Sequence, residues 1–356
     1  MERLLAKLRA FKSLSHMAAS YFEKMLGHNK IIAYENGHPV YSLLFPAFGS
    51  AGQMNSLIHL FIALSARMPM PQITTVAVTD RCDSSCKGRY FKNQKVSDKP
   101  VLTTPEIKRV MAELAAMGVF TIAFVGGEPL LHKDIVDIIA DFRTDRSSLL
   151  LFTNASRLEP LAADLKKAGL NRVYASLEYA DAGRHDGYCG HKGLYDKALR
   201  GVVAANKAGM LTGFSWTLHS DAKPEDLQEV VRLCRDTRVR ELYICKEINT
   251  GFDYACIPFS PEDEFFRAIC RANENKKNTF GIVYYHYMTS HLGFGGCSAG
   301  GTRMYISPYG DVTPCDVISK SFGNVREQSL PAIWNSMTQH PGLGTINGPC
   351  RVGLSL

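Results

Sequence analysis

The chain has 356 residues, of which 46% are hydrophobic and 21% charged, proportions that exclude disorder and allow a sizeable core. The formal net charge of +7 would suit an anionic partner, but Lys and Arg are interspersed with Asp and Glu. They form no like-charge block and no aromatic-basic groove, which excludes a nucleic-acid footprint.

Ten cysteines in a chain of this length, several spaced as metal ligands are, fit a reducing cytoplasm better than a disulfide scaffold. No cleavable signal sequence is recognised at the start, which supports the same expectation. The length predicts one large domain with a small appendage.

Residues 1–72 stand apart. Glu2 to Leu26 reads as a basic amphipathic helix, with Leu4, Leu5, Leu8, Phe11, Leu14, Met17 and Tyr21 at helical spacing. His38 to Ala66 carries no charge, but Pro39, Pro46, Gly49 and Gly52 interrupt it, so a clean membrane-spanning helix is not expected. A helix buried against the following domain and an interfacial, membrane-touching segment are both open.

From residue 73 short β-branched runs alternate with amphipathic helices, the rhythm of parallel strands with crossover helices. Strands are expected at Thr75–Thr79, Thr121–Val125, Leu149–Thr153, Arg172–Leu177, Leu211–Leu218 and Glu241–Cys245. Helices are expected at Thr104–Met117, Lys133–Phe142, Leu158–Ala168, Leu194–Ala208 and Pro224–Thr237, with Thr104 as an N-cap. The fold class is therefore α/β, a partial (β/α)6 TIM-type barrel over residues 73–256, with its chemistry at the C-terminal ends of the strands. After residue 256 the rhythm changes. Met304–Ser307 and Val312–Pro314 read as strands around a Pro-Tyr-Gly turn, and Leu330–Met337 as a short helix. Residues 257–356 are read as a small α+β module, and residues 1–72 as a helical, apolar extension.

Cys82-Asp-Ser-Ser-Cys86-Lys-Gly-Arg89 follows the first barrel strand, and thiolates this close on one loop can face a single cluster or metal. Two cysteines four apart are weak evidence alone, because they also pack as small hydrophobes. Gly126-Gly127-Glu128-Pro129 ends the second strand, Thr153-Asn154-Ala155 the third, and Ser176-Leu177-Glu178 the fourth.

In this order these motifs resemble the radical S-adenosylmethionine (SAM) superfamily. Its signature is C-x3-C-x2-C, followed by GGEP, Thr-Asn-Gly and Ser-Leu-Asp elements. The resemblance implies that Cys82 and Cys86 bind a 4Fe–4S cluster, with Arg89 in the third cysteine's place. It implies that Gly126, Gly127, Glu128, Pro129, Asn154, Ser176 and Glu178 receive SAM, the glycines because a Cβ would block the approach of ligand to backbone. His185-Asp186-Gly-Tyr-Cys189-Gly190 resembles a His-Asp-x-x-Arg-Gly stretch with Cys189 in the arginine's place, which leaves a carboxylate contact to SAM without its usual residue.

Cys297, Gly310, Cys315 and Cys350, with Phe322-Gly-Asn-Val ahead of a helix containing Ile333 and Trp334, resemble the SPASM and twitch modules that hold auxiliary iron–sulfur clusters. The resemblance assigns Cys297, Cys315 and Cys350 to such a cluster. Buried thiols beside a hairpin, or a zinc site, are the alternatives. Cys234, Cys245, Cys256 and Cys270 read as core residues. Tyr284, Tyr285, His286, Tyr287 and His291 are core aromatics or cavity lining, and Lys246 and Glu247 a surface pair or a polar contact at the barrel mouth.

The expected activity is reductive cleavage of SAM to a 5′-deoxyadenosyl radical that abstracts hydrogen from a peptide, tetrapyrrole or other small molecule. An electron donor such as a flavodoxin or ferredoxin is implied, and residues 1–66 offer a peripheral membrane contact. A guanidinium neither ligates metal nor deprotonates in proteins, so Arg89 is expected to impair the SAM cluster. The alternative is a homologue that binds SAM or a cluster without radical chemistry. No catalytic residue is assigned.

Overall fold

The computed structural model describes residues 30–66, 69–88, 98–142, 146–246, 264–284, 299–341 and 343. The expected helix Glu2–Leu26, together with Arg89, Glu247, Cys256, Tyr285, His286, Tyr287, His291, Cys297 and Cys350, lies outside these residues, and Lys246 and Tyr284 are described in backbone alone.

Strands β1 (Ala33–Glu35) and β2 (His38–Val40) pair antiparallel. The turn between them is made by Asn36 and Gly37, both at positive φ, which Gly and Asn tolerate best. Helix α1 follows (Ala51–Ala66). The apolar stretch read as one helical segment is thus a strand, an irregular run over residues 41–50 and a helix, divided at Pro46 and Gly49. α1 buries Gln53 and Ser56 and leaves Met54, Ile58, Phe61 and Ile62 exposed. Among the described residues no helix is long and apolar enough to cross a membrane.

The barrel elements follow in chain order: β3 (Ile73–Ala77), α2 (Thr104–Ala116), β4 (Thr121–Val125), α3 (Ile135–Asp141), β5 (Ser148–Thr153), α4 (Leu158–Ala168), β6 (Arg172–Leu177), α5 (Ala182–Cys189), α6 (Leu194–Lys207), β7 (Leu211–Leu218), α7 (Pro224–Asp236), β8 (Glu241–Lys246), α8 (Glu264–Glu274) and β9 (Gly281–Tyr284). β10 (Arg303–Ile306), β11 (Val312–Thr313) and α9 (Leu330–Thr338) complete the chain. The sheet order is β11-β10-β3-β4-β5-β6-β7-β8-β9, parallel throughout except for the β10–β11 pair.

The partial barrel expected from the sequence is present, and it is wider. α8 and β9 add a further βα unit beyond residue 256, and β10 lies parallel to β3 on the other side. The α2 N-cap is Thr103, one residue earlier than expected. Its backbone N–H and hydroxyl donate to Glu106 at 2.7 and 2.8 Å, closing a capping box ahead of Pro105.

One core layer lies between the sheet and its helices, with Val76, Ile122, Phe124, Leu151, Val173 and Phe214 against Ile107, Leu165 and Val202, among others. These strands are buried on both faces, which is why they read as continuous apolar runs.

A second cluster fills the barrel interior, where Leu43, Leu44 and Phe45 meet Phe120, Leu150, Tyr174 and Tyr243. The first residues of three alternate strands hold that plug. Thr121 donates to Leu44 O at 2.9 Å. The fully buried Arg172 reaches Leu43 O at 3.1 Å, Phe45 O, and the Glu35 carboxylate at 2.7 Å. Glu241 accepts from Leu43 N at 2.8 Å, Ser42 Oγ at 3.2 Å and Tyr174 Oη. Residues 42–45 therefore close the N-terminal end of the barrel, opposite the end where chemistry is expected.

The C-terminal residues dock on the barrel through Arg326. Its guanidinium bonds Glu106 at 2.5 and 3.0 Å and the carbonyls of Pro100, Val101 and Tyr309. The Arg326 guanidinium and the Thr103 amide hold the Glu106 carboxyl at about 2.

Candidate active site

The site is built at the C-terminal ends of β3 to β7. The chain leaving β3 runs alongside the segment leaving β4: Val78 N donates to Val125 O at 2.9 Å, Gly127 N to Thr79 O at 2.8 Å and Glu128 N to Arg81 O at 2.7 Å. A Cβ on Gly127 would lie 2.2 Å from Arg81 O, and one on Gly126 2.4 Å from Thr79 O. Both glycines are thus required by the backbone leading into the cysteine loop.

Glu128 lies wholly inside this junction. It accepts from Thr153 Oγ1 at 2.6 Å, Leu130 N at 2.9 Å and Asn154 N at 2.7 Å, which ties the ends of β4 and β5 together. Burial outweighs these bonds and pushes its carboxyl up to about 7.

Asn154 turns back onto the cysteine loop, its Nδ2 donating to Asp83 Oδ1 at 2.8 Å and Ser84 Oγ at 3.1 Å. Ala155 takes φ 63° with its methyl buried, the left-handed conformation that a glycine would adopt without strain.

At the end of β6, Ser176 is half-buried and pairs in register with Ser215. The Glu178 carboxylate lies 3.1 Å from His219 Nε2, and its backbone N–H donates to His185 Nδ1 at 3.1 Å. His219, just past β7, is almost fully buried between Tyr179 and Tyr188, with ring centroids 4.7 and 4.5 Å away. Sequence reasoning missed His219. Its signal was its place immediately after a strand end, where barrel active sites gather.

Cys82 and Cys86 are half-buried on the loop. Cys189, at the end of α5, is buried. The neighbouring Cys86 thiol, and burial after it, raise its thiol well above the ordinary cysteine range. Of the expected site residues the structure thus gathers Cys82, Cys86, Gly126, Gly127, Glu128, Pro129, Asn154, Ser176 and Glu178 at one mouth.

Cys315 lies apart, just after β11, packed with Ala299 and Ile318, and burial pushes its thiol up to about 12. Burial raises the Cys234 thiol well above the ordinary cysteine range and Cys245 to about 12, the first inside the helix–sheet core as expected.

Among the described residues no three His, Cys, Asp or Glu side chains close around one metal ion. The donor set suits a soft, multi-iron group better: part-exposed thiols on a loop beside strand ends bearing amide, hydroxyl and carboxylate groups. On the described residues, the mouth fits an iron–sulfur cluster and a polar ligand next to it.

Comparison with known proteins agrees. Residues 76–234 match the radical SAM superfamily, and residues 297–347 match the iron–sulfur cluster-binding domain called SPASM. An AdoMet-dependent heme synthase of Methanosarcina barkeri is 25% identical over 75% of this chain and 82% of its own length. A PqqA peptide cyclase of Bradyrhizobium diazoefficiens is 26% identical over 79% of this chain and 78% of its own. Among solved structures, Streptococcus suis SuiB bound to its precursor peptide SuiA superposes with a TM-score of 0.62 at 17% identity, covering 79% of this chain and 68% of that one. That likeness shows the fold. The strand-end motifs and the two domain matches place this chain in the radical SAM superfamily with a SPASM module, and 4Fe–4S clusters and SAM are its cofactors.

Proposed function

We propose that this chain is a radical SAM enzyme acting on a peptide or a tetrapyrrole. The observation that carries the proposal is the cysteine loop, held by backbone on Gly127 and by side chain on Asn154 at the ends of adjacent parallel strands. Both substrate classes are represented among relatives that cover most of the chain, a heme synthase and a peptide cyclase.

In this reading Cys82 and Cys86 hold the SAM cluster. The backbone of Gly126 to Pro129 and the side chains of Asn154, Ser176 and Glu178 receive SAM. Glu128 is a positioning residue, since its three hydrogen bonds already fix the strand ends. Cys297, Cys315 and Cys350 hold an auxiliary cluster. When bound, the SAM cluster supplies the electron that cleaves SAM to a 5′-deoxyadenosyl radical, which removes a hydrogen atom from the substrate. His219, held between two tyrosines beside Glu178, can hold or pass a proton at Nε2. A small cytoplasmic electron donor of the flavodoxin or ferredoxin class completes the system, and within residues 1–66 the exposed Met54, Ile58, Phe61 and Ile62 of α1 supply a peripheral membrane contact.

Arg89 favours a second reading, a homologue that binds SAM or a cluster without radical chemistry, because its guanidinium cannot replace a thiolate. Anaerobic reconstitution, followed by iron, acid-labile sulfide and 5′-deoxyadenosine measurements under strong reductant, separates the two. Cluster loading with 5′-deoxyadenosine formation supports the enzyme. Cluster loading without it supports the second reading; no iron–sulfur loading overturns the enzyme, and with no SAM binding either it overturns both.

A further inference from the structure

The cysteine loop and the end of α5 are joined by two backbone bonds on either side of Cys86. Ser85 N donates to Cys189 O at 2.8 Å, and Lys87 N donates to Tyr188 O at 3.0 Å. Cys86 is therefore held beside the end of α5 that carries Cys189. The contact depends on how α5 ends. Gly190 takes φ 59° as the helix C-cap, which turns the chain beneath Ser85. A Cβ there would stand 2.2 Å from Ser85 Oγ.

His185 prepares the other side of the Cys189 sulfur. A backbone N–H can only donate, so the bond from Glu178 N at 3.1 Å makes His185 Nδ1 the acceptor and leaves the ring proton on Nε2. Nε2 lies 3.8 Å from Cys189 Sγ. In this tautomer the ring directs its one N–H at this sulfur. An N–H aimed at a sulfur stabilises its thiolate and tunes an iron bound to it, the role outer-shell donors play at metal sites. A thiol serving merely to fill the core needs neither a second thiol beside it nor a donor aimed at it.

We propose that Cys189 is a ligand of the SAM cluster together with Cys82 and Cys86, supplying from α5 the third sulfur that Arg89 cannot supply from the loop. The proposal rests on the radical SAM reading of the mouth. Each thiol releases its proton to solvent as its iron–sulfur bond forms. The two departures from the family pattern, a missing loop cysteine and an added one at residue 189, then form one compensating pair.

The test compares the full chain with Cys189→Ala, Arg89→Cys and the double variant after anaerobic reconstitution. It reads iron and sulfide per chain, and the electron paramagnetic resonance signal of the reduced protein with and without SAM. The expected result is a SAM-responsive signal in the unaltered chain. In Cys189→Ala that signal is lost and iron falls by about four per chain, one 4Fe–4S cluster. Both return in the double variant, and thermal unfolding of the unloaded proteins stays comparable.

A measurement on the unaltered chain avoids any folding defect of the variants. Alkylation read by mass spectrometry should modify Cys189 in the unfolded apo-protein and spare it when the loaded protein is denatured just enough to expose residue 189 with its iron retained. A SAM-responsive signal that survives in Cys189→Ala overturns the proposal. So does a signal present in Arg89→Cys and absent from the unaltered chain, which leaves the radical SAM reading standing. A SAM-responsive signal in none of the four proteins overturns both.

Discussion

Replacing Glu128 by Gln should change how stability depends on pH, because a single buried carboxyl carries a large part of that dependence. In the folded chain the carboxyl is wholly buried and holds its proton up to about 7, against an ordinary value of 4.5. Between these values the unfolded chain has lost the proton and the folded chain has kept it, so stability falls as pH rises through the window and levels off above it. A gap of about 2.5 units is worth about 3 kcal/mol. Gln keeps the shape but cannot titrate. Its amide also places a donor against a donor, Asn154 N or the Thr153 and Leu130 pair, which costs about 1–3 kcal/mol at every pH.

Urea unfolding of both proteins at intervals from about pH 5 to about pH 8 measures the effect. The carboxyl of Glu106, held at about 2, titrates below this window and is common to both proteins. The Gln variant is therefore less stable near pH 5, and the gap closes by about 2–3 kcal/mol towards pH 8. Parallel curves would refute the reasoning, because they would mean that Glu128 ionises alike in the folded and unfolded chains.

Arg172→Ala removes the buried cation that holds Leu43 O, Phe45 O and Glu35 and should cost about 3–5 kcal/mol in urea unfolding; a cost under about 1 kcal/mol would deny residues 42–45 their role as the barrel plug. Gly127→Ala places a Cβ 2.2 Å from Arg81 O, so it should displace the cysteine loop and lower cluster iron after reconstitution while circular dichroism still reports the barrel. Cys315→Ser should remove about four iron atoms per chain, one auxiliary cluster, and leave the SAM-responsive resonance signal intact.

The sequence by itself determined the barrel's middle. β4, β6, β7 and α4 fall where the apolar runs and helical periodicity place them, because strands buried on both faces and amphipathic crossover helices write their periods directly into the chain. It also determined the family, since the loop cysteines and the strand-end motifs keep a fixed order along the chain.

The tertiary structure decided what depends on partners distant in sequence. β9 and β10 join the sheet through neighbours their own short runs cannot name. The plug at residues 42–45 is held by Arg172 and Glu241, more than a hundred residues away. Gly126 and Gly127 make room for the chain's own backbone. Cys189 read as a substitution in a degenerate motif, and the fold brings it beside Cys86 through the backbone bonds of Ser85 and Lys87. Periodicity is local and legible in a sequence, whereas the closing of a barrel mouth joins side chains whose separation along the chain carries no signal of their contact.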